Sequence, residues 1–175
     1  QVGGDPESLG GDLVVLGVAD QHHRAPFPDE APHLLVHLGH QRAGGVDHAQ
    51  VVGACASCHE DAPKELRKSV HARVTAGPDG PDCVSCHGSP HQILPGSDAA
   101  SMVAKANLAA TCGSCHSNPD FLARHKIPFA RPVDAYRLSV HGRAVARGSQ
   151  DAASCSDCHG SHAVLPSRNA AGKTN

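Results

Sequence analysis

The sequence predicts a mainly α-helical protein with much irregular coil and little or no β-sheet. No segment of useful length alternates apolar and polar residues in the way that strands do. The 175-residue chain contains 18 Gly and 13 Pro, which interrupt regular elements, so its helices should be short. It contains only three Phe, one Tyr and no Trp. Its own side chains therefore cannot bury enough apolar surface to offset the entropy of ordering the chain.

Three segments carry helix signals, at 63–71, 98–110 and 134–148. Pro63 belongs in a first helical turn and is followed by apolar residues four apart, so this helix should carry His71. The segment 98–110 should be a helix that leads into the next cysteine. The third segment is bounded by an acidic N-cap residue and a terminal glycine.

All eight cysteines fall into four copies of one pattern, C-x-x-C-H. The cysteines are Cys55, Cys58, Cys83, Cys86, Cys112, Cys115, Cys155 and Cys158, and the histidines that follow the pairs are His59, His87, His116 and His159. Two thiols three residues apart, followed by an imidazole, form the attachment signature of c-type haem, in which the histidine is the proximal iron ligand. The sequence therefore predicts four covalently attached haems c.

A C-x-x-C pair can also serve two other functions. Four pairs could build two four-cysteine zinc sites, and a single pair can act as a dithiol redox centre. Neither explains a histidine directly after every pair. Four covalently held macrocycles would also provide the apolar core that the side chains lack, so we expect the apoprotein to be unfolded.

The chain contains an internal repeat. One C-x-x-C-H is followed by S-V-H and then by C-x-x-C-H-G-S-(P)-H-x-(I/V)-L-P, first at residues 55–95 and again at 112–166. We call these the first and second repeat. The second carries an insertion of roughly residues 117–132. This pattern predicts two copies of a di-haem unit.

The expected domain organisation follows from where the motifs lie. Residues 1–50 contain no Cys and are rich in His, Gly and Pro, so we expect a poorly structured extension rather than a metal-binding arm. Residues 51–175 should form a tetrahaem cytochrome c domain, with di-haem units at about 52–108 and 109–175.

The remaining histidines decide whether each iron has a second protein ligand. Four of them recur at equivalent positions of the two repeats: His71 with His141, and His91 with His162. Four haems thus meet four matched candidates, which predicts irons with two His ligands each, suited to electron transfer. His125 has no counterpart and is not favoured as a ligand, and the single methionine, Met102, should pack within a helix.

The spacing of these histidines suggests which iron each one serves. His91 lies four residues after His87, and side chains at that spacing point the same way on a helix. His162 similarly lies three residues after His159. Each should therefore ligate a neighbouring haem. The expected pairs are His59 with His91, His87 with His71, His116 with His162, and His159 with His141.

The repeated S-V-H, the C-x-x-C-H-G pattern with a nearby His, and the four motifs resemble the multihaem cytochromes c of bacterial respiration over about residues 52–170. This resemblance implies closely spaced haems in a periplasmic or extracellular protein of anaerobic respiration. Its partners would be redox proteins, such as a membrane quinol dehydrogenase or a terminal reductase. Quinol-oxidising relatives carry a membrane anchor. The longest apolar run here, residues 13–19, is far shorter than a span, and a secretion signal should once have preceded this chain.

Other functional classes are excluded or stay open. The net charge of −2 and the lack of a basic stripe argue against nucleic acid as a partner. An electron carrier is favoured over an enzyme. A reductase of nitrogen or sulfur oxyanions, or its electron-donor fragment, remains an alternative that needs an open iron position. A subunit of a cytochrome filament, self-assembling through haem-exposed ends, is another. Because the residues after Pro166 resemble 96–104, we also expect a fragment of a longer haem array, or descent from one.

Overall fold

The computed structural model describes residues 48–72, 80–166 and 168–173. Within these ranges the chain consists of helices, turns and coil without a strand, which confirms the predicted fold class. The helices are α1 (His48–Ala56), α2 (Asp61–Leu66), α3 (Cys83–His87), α4 (Leu108–His116), α5 (Pro119–Arg124), α6 (Pro132–Leu138), α7 (Val140–Ala146) and α8 (Cys155–His159). The predicted extension 1–50 lies almost wholly outside the described residues. In the part that is described, no helix has the length and hydropathy to cross a membrane.

The side chains form very little hydrophobic core. Among the described residues, the buried apolar side chains are Ala104, Leu122, Val133 and Val145. Several large apolar side chains are exposed instead: Ile93, Leu94, Phe129, Leu138 and Val140. Helices α4, α6 and α7 pack in sequence, α8 lies against α4, and α1 lies against α2 and α3. The helices that carry C-x-x-C-H motifs therefore pack in pairs, α1 with α3 and α4 with α8.

The first motif of each repeat lies at the end of a nine-residue helix. Just after α1 the hydroxyl of Ser57 donates to the carbonyl of Ala54 at 2.7 Å, and within α4 the hydroxyl of Ser114 donates to the carbonyl of Thr111 at 2.8 Å. The serine inside the motif thus bonds to the residue just before the first cysteine in both cases. The two motifs share this bond, although α1 ends at Ala56 and α4 continues to His116.

The second motif of each repeat forms a five-residue helix with its own start signal. The backbone of Ser85 donates to the carboxylate of Asp82 at 2.9 Å, and the backbone of Ser154 donates to the carboxylate of Asp157 at 2.8 Å. The Ser and Asp have exchanged places between the repeats, but both pairs fix the helix start. Both helices end at a glycine with positive φ, Gly88 at 84° and Gly160 at 85°. A Cβ at Gly160 would lie 2.7 Å from a backbone oxygen, so glycine is required there.

The predicted helix over 63–71 is shorter than expected. Helix α2 ends at Leu66, and His71 lies in the turns that follow it. The hydroxyl of Ser69 accepts a hydrogen bond from the backbone of His71 at 3.1 Å, and the backbone of Val70 donates to the carbonyl of Val164 at 2.8 Å. These bonds use donors that a continued helix would need, so the helix stops before His71.

The predicted helix over 134–148 is two helices, α6 and α7, separated at Ser139. The backbone of Ser139 is extended, with ψ at 165°, and its hydroxyl accepts a hydrogen bond from the backbone of Gly142 at 3.0 Å. Helix α6 begins with Pro132 rather than after Asp134. The expected stop is confirmed, because Gly148 has a φ of 89° beyond α7.

The predicted helix over 98–110 is wrong for most of its length. From Pro95 to Asn107 the backbone forms successive turns with a hydrogen bond at every third residue, and α4 begins only at Leu108. Polar side chains hold these turns: the hydroxyl of Ser101 donates to the carbonyl of Leu94, and the Asn107 amide donates to two backbone carbonyls. Such bonds compete with a regular helix.

The same turns recur after the second repeat. Asn169 donates its backbone hydrogen to Pro166 at 2.9 Å, as Asp98 does to Pro95. The side-chain oxygen of Asn169 accepts from the backbone two residues on at 2.9 Å, and that of Asp98 does so at 2.8 Å. The stretches that begin at Ile93-Leu94-Pro95 and at Val164-Leu165-Pro166, which we call the L-P segments, therefore share turns of the backbone as well as sequence.

Candidate functional site

The cysteines of successive motifs lie next to one another. The thiols of Cys55 and Cys83 share a hydrogen bond, and burial together with Cys55 raises the pKa of Cys83 to about 11. Cys112 donates to Cys155, which lowers the pKa of Cys155 to about 7 and raises that of Cys112. Motif 1 is therefore beside motif 2, and motif 3 is beside motif 4.

The middle motifs are also neighbours. Burial raises the pKa of the Cys86 thiol, and the nearby Cys115 raises it further. The cysteines are half-buried apart from Cys58 and Cys158, which are exposed. The four attachment motifs thus follow one another in space in the order in which they occur along the chain.

Two pairs of imidazoles face each other. The ring centroids of His71 and His116 are 6.2 Å apart with an interplanar angle of 50°, and those of His87 and His162 are 6.1 Å apart at 26°. Two imidazoles bound on opposite faces of one metal ion, at about 2.0 Å per metal–nitrogen bond, would have centroids about 6.3 Å apart. Both pairs have the separation that a six-coordinate haem iron requires.

These pairs differ from those expected from the sequence. His87 was expected with His71 and His116 with His162, but the structure places His71 opposite His116 and His162 opposite His87. The sequence-based pairing keeps the S-V-H histidine within its own repeat, whereas the hydrogen bond from Val70 to Val164 brings that segment to the other repeat.

The environment of the paired imidazoles favours the form that binds metals. Burial, and next His116, lower the pKa of His71, whereas burial, and next His159, lower the pKa of His116. Burial and the proximity of His162 and His59 lower the pKa of His87 in the same way. Because only a neutral imidazole can ligate iron, these shifts keep the ligands deprotonated near neutral pH.

A carboxylate stands behind one of the paired imidazoles. Oε2 of Glu65 lies 3.5 Å from Nδ1 of His162. An imidazole whose Nδ1–H interacts with a carboxylate presents Nε2 to a metal and is a stronger donor. Sequence reasoning missed Glu65, and nothing in the repeat marks it, because the equivalent residue of the second repeat is Ala135.

The outer proximal histidines and the other two candidates are not brought together. His59, His91, His141 and His159 are all exposed, and no ring among the described residues stacks on any of them. Among the described residues, a predicted second ligand therefore lies beside the proximal histidine at motifs 2 and 3, and none does so at motifs 1 and 4.

His125 has an unexpected environment. Its ring packs on Phe121 at 4.3 Å, and its Nε2 is buried without a hydrogen bond. A buried polar nitrogen without a partner is costly, so this atom is a candidate ligand that the sequence did not favour. Met102 lies beside the second motif, where its Sδ would be 3.2 Å from a Cβ at Gly88.

Comparison with known proteins gives one match. Residues 41–117, less than half of the chain, match the family described as cytochrome c7 and related cytochrome c. This stretch contains the first three C-x-x-C-H motifs and ends at the start of the insertion, so the fourth motif lies beyond it. Neither the curated proteins nor the solved structures contain a match. The similarity indicates covalently bound c-type haem and haem-based electron transfer.

Proposed function

We propose that this protein is a periplasmic or extracellular electron-transfer protein that holds four covalently attached c-type haems, each with two His ligands. The observation that carries the proposal is the pair of imidazole–imidazole separations, 6.2 Å and 6.1 Å, each joining a C-x-x-C-H histidine to a candidate predicted from the repeat. Haem supplies one-electron redox chemistry when bound. The residues of the chain attach it, orient it and keep the ligating imidazoles neutral.

The local geometry supports two copies of a di-haem unit. The first motifs share a serine bond at the end of a nine-residue helix, and the second motifs share a capping carboxylate and a terminal glycine. The turns after each L-P segment also match. Two different local structures, each occurring twice in the same order, are what a duplicated unit would produce.

The order of the motifs supports a linear electron path. Thiols of motifs 1 and 2, of 2 and 3, and of 3 and 4 are direct neighbours. Since each cofactor is tied to its own cysteine pair, neighbouring attachment points keep successive redox groups close. Electrons would then pass from one end of the molecule to the other, between a redox donor such as a quinol dehydrogenase and a terminal reductase.

A reductase of nitrogen or sulfur oxyanions is the second candidate. It is favoured only by the exposure of His59 and His159. Among the described residues, no second histidine lies beside either of them to complete the coordination of an iron. Such an enzyme needs an iron with an exchangeable position. Carbon monoxide binding by the native reduced protein would support the reductase, whereas four irons that do not bind it would support the electron carrier.

The variant His71→Ala tests the ligand assignment. We expect all four haems to stay attached, because attachment depends on the thiols, while one iron in four becomes high-spin in the ferric state. Mass spectrometry and spin-resonance spectra measure the two properties. Lys68→Ala, three residues away and exposed, is the matched control and should leave the spectrum unchanged. A low-spin spectrum in His71→Ala identical to that of the unmodified protein would exclude His71 as a ligand.

A further inference from the structure

Imidazoles of the first repeat lie beside imidazoles of the second repeat, and each contact joins different positions of the two repeats. The S-V-H histidine of the first repeat, His71, faces the first-motif histidine of the second repeat, His116. The last histidine of the second repeat, His162, faces the second-motif histidine of the first, His87. Each repeat thus lends one imidazole to a motif of the other.

A backbone hydrogen bond and a contact between thiols also connect the two repeats at different positions. Val70 of the first S-V-H donates a hydrogen bond at 2.8 Å to Val164, in the L-P segment of the second repeat. Cys86, in the second motif of the first repeat, lies near Cys115, in the first motif of the second. All eight residues that make these four contacts are half-buried.

Every one of these positions has an equivalent in the other repeat that makes no such contact among the described residues. In the first repeat the equivalents are Cys58, His59, His91 and Ile93. In the second they are Val140, His141, Cys158 and His159. All eight equivalents are exposed. Each repeat therefore has a second set of these residues that makes no contact with another repeat among the described residues. We call these two sets the unused halves.

The unused halves are also the apolar parts of the surface. Leu138 and Val140 are 73% and 69% exposed, and Ile93 and Leu94 are 47% and 36% exposed. Among the described residues only Phe129 is a further large apolar side chain with comparable exposure. Exposed apolar side chains grouped at two separate places mark interaction surfaces.

We propose that copies of this chain assemble head to tail, with the second repeat of one copy docking on the first repeat of the next as the repeats dock within one copy. The S-V-H face, formed by Leu138, Val140, His141, Cys158 and His159, would meet the L-P face, formed by Cys58, His59, His91, Ile93 and Leu94.

The proposal deepens the proposed function and rests on it. His141 of one copy provides the second ligand for the iron held at His59 of the next copy. His91 of that next copy provides the second ligand for the iron held at His159. The two motifs that have no second histidine beside them among the described residues are thereby completed, and the electron path continues from copy to copy.

The protein that docks on each face is a second copy of this chain, because the contact between the two repeats within one copy shows which residues each face binds. The S-V-H face needs a C-x-x-C-H histidine and an L-P segment like those of the second repeat, and the first repeat presents both in the same order, at His59 and Ile93. The two faces differ, so the contact is heterologous, and such contacts build rings or open chains rather than closed two-fold dimers.

Two single-face variants of the holoprotein test this arrangement. Val140→Asp places a charge on the S-V-H face, and Ile93→Asp places one on the L-P face. Both side chains are exposed, so the fold of the single copy should persist. Light scattering after size exclusion should show assemblies for the unmodified protein and single copies for each variant. An equimolar mixture should give two-copy complexes, because one intact face of each kind remains. Phe129→Asp is the control and should assemble like the unmodified protein.

The ferric spin state gives a second readout. In single copies two of the four irons lack a second ligand, so about half should be high-spin, and in the mixed two-copy complex only about a quarter. Assembly of either variant alone, or a mixture that stays as single copies, would overturn the proposal. Four low-spin haems in single copies would overturn it while leaving the proposed function intact. A chain without covalent haem would instead refute the proposed function itself.

Discussion

His162 lies where the two repeats meet, with its ring 6.1 Å from that of His87 and its Nδ1 3.5 Å from Oε2 of Glu65. A carboxylate in that position orients the ring and increases the electron density that the imidazole can donate. Glu65 belongs to α2, in the first repeat, and His162 to the second. The contact is therefore one more way in which each repeat depends on the other.

Removing the charge of Glu65 should change one redox centre. We expect Glu65→Gln to raise the reduction potential of one haem in four. The rise should stay below about 59 mV, the value of a tenfold change in a one-electron equilibrium, because the side chain is half exposed and screened. An optical redox titration of the holoprotein measures the shift. Glu60→Gln, more exposed and paired with Lys64, is the control. Identical titrations for both variants would show that Glu65 does not act on His162.

The sequence predicted which residues to consider but not how the imidazoles pair. The C-x-x-C-H pattern names the attachment residues directly, because the chemistry needs those residue types at that spacing. The pairing of His71 with His116 depends instead on the hydrogen bond from Val70 to Val164, ninety-odd residues away. No local pattern encodes such a contact. The buried nitrogen of His125 was missed for the same reason.

At the scale of the elements, polar side chains decide where helices end. Ser139 divides the segment expected as one helix into α6 and α7, because its hydroxyl caps Gly142. Asn107 and Ser101 hold a series of turns where apolar content alone suggested a helix. Hydrophobic spacing predicted that these segments are ordered. It could not predict which backbone groups the short polar side chains would occupy.

Two glycines give a matched test of the α6–α7 junction. A Cβ at Gly142 would overlap the backbone oxygen of Tyr136, whereas a Cβ at Gly53, in α1, would meet nothing within 4 Å. We expect Gly142→Ala to lower the free energy of unfolding by about 1–3 kcal/mol. Gly53→Ala should raise it by about 0.5–1 kcal/mol, since alanine favours a helix interior. Denaturant unfolding of the holoprotein measures both. A Gly142→Ala protein as stable as the unmodified one would mean that the junction is looser than described.

At the scale of the whole molecule, the fold class was predictable and the packing was not. The absence of alternating segments, together with many Gly and Pro, predicted short helices without a sheet, and the described residues show this. The order in which the motif helices pack could not be read from the sequence, because it depends on contacts between residues far apart in the chain, such as Cys112 with Cys155 and His71 with His116.

The small core predicts that the chain depends on its cofactor. Four small or medium apolar side chains are buried among the described residues, too few to stabilise a domain of this size. We expect the chain produced without haem to be unfolded. Circular dichroism should then show little helix and no cooperative thermal transition, while the holoprotein shows both. A cooperative transition in the haem-free chain would show that its own packing suffices.

We propose that each repeat provides one imidazole to an iron held by the other, because His71 lies beside His116 and His162 beside His87. An experimental structure of the holoprotein that resolves the iron–nitrogen bonds tests it most directly. We expect His71 and His116 to bind one iron and His87 and His162 to bind another, each pair on opposite faces. A structure in which His71 and His87 share an iron would contradict the account, since each repeat would then ligate its own haems.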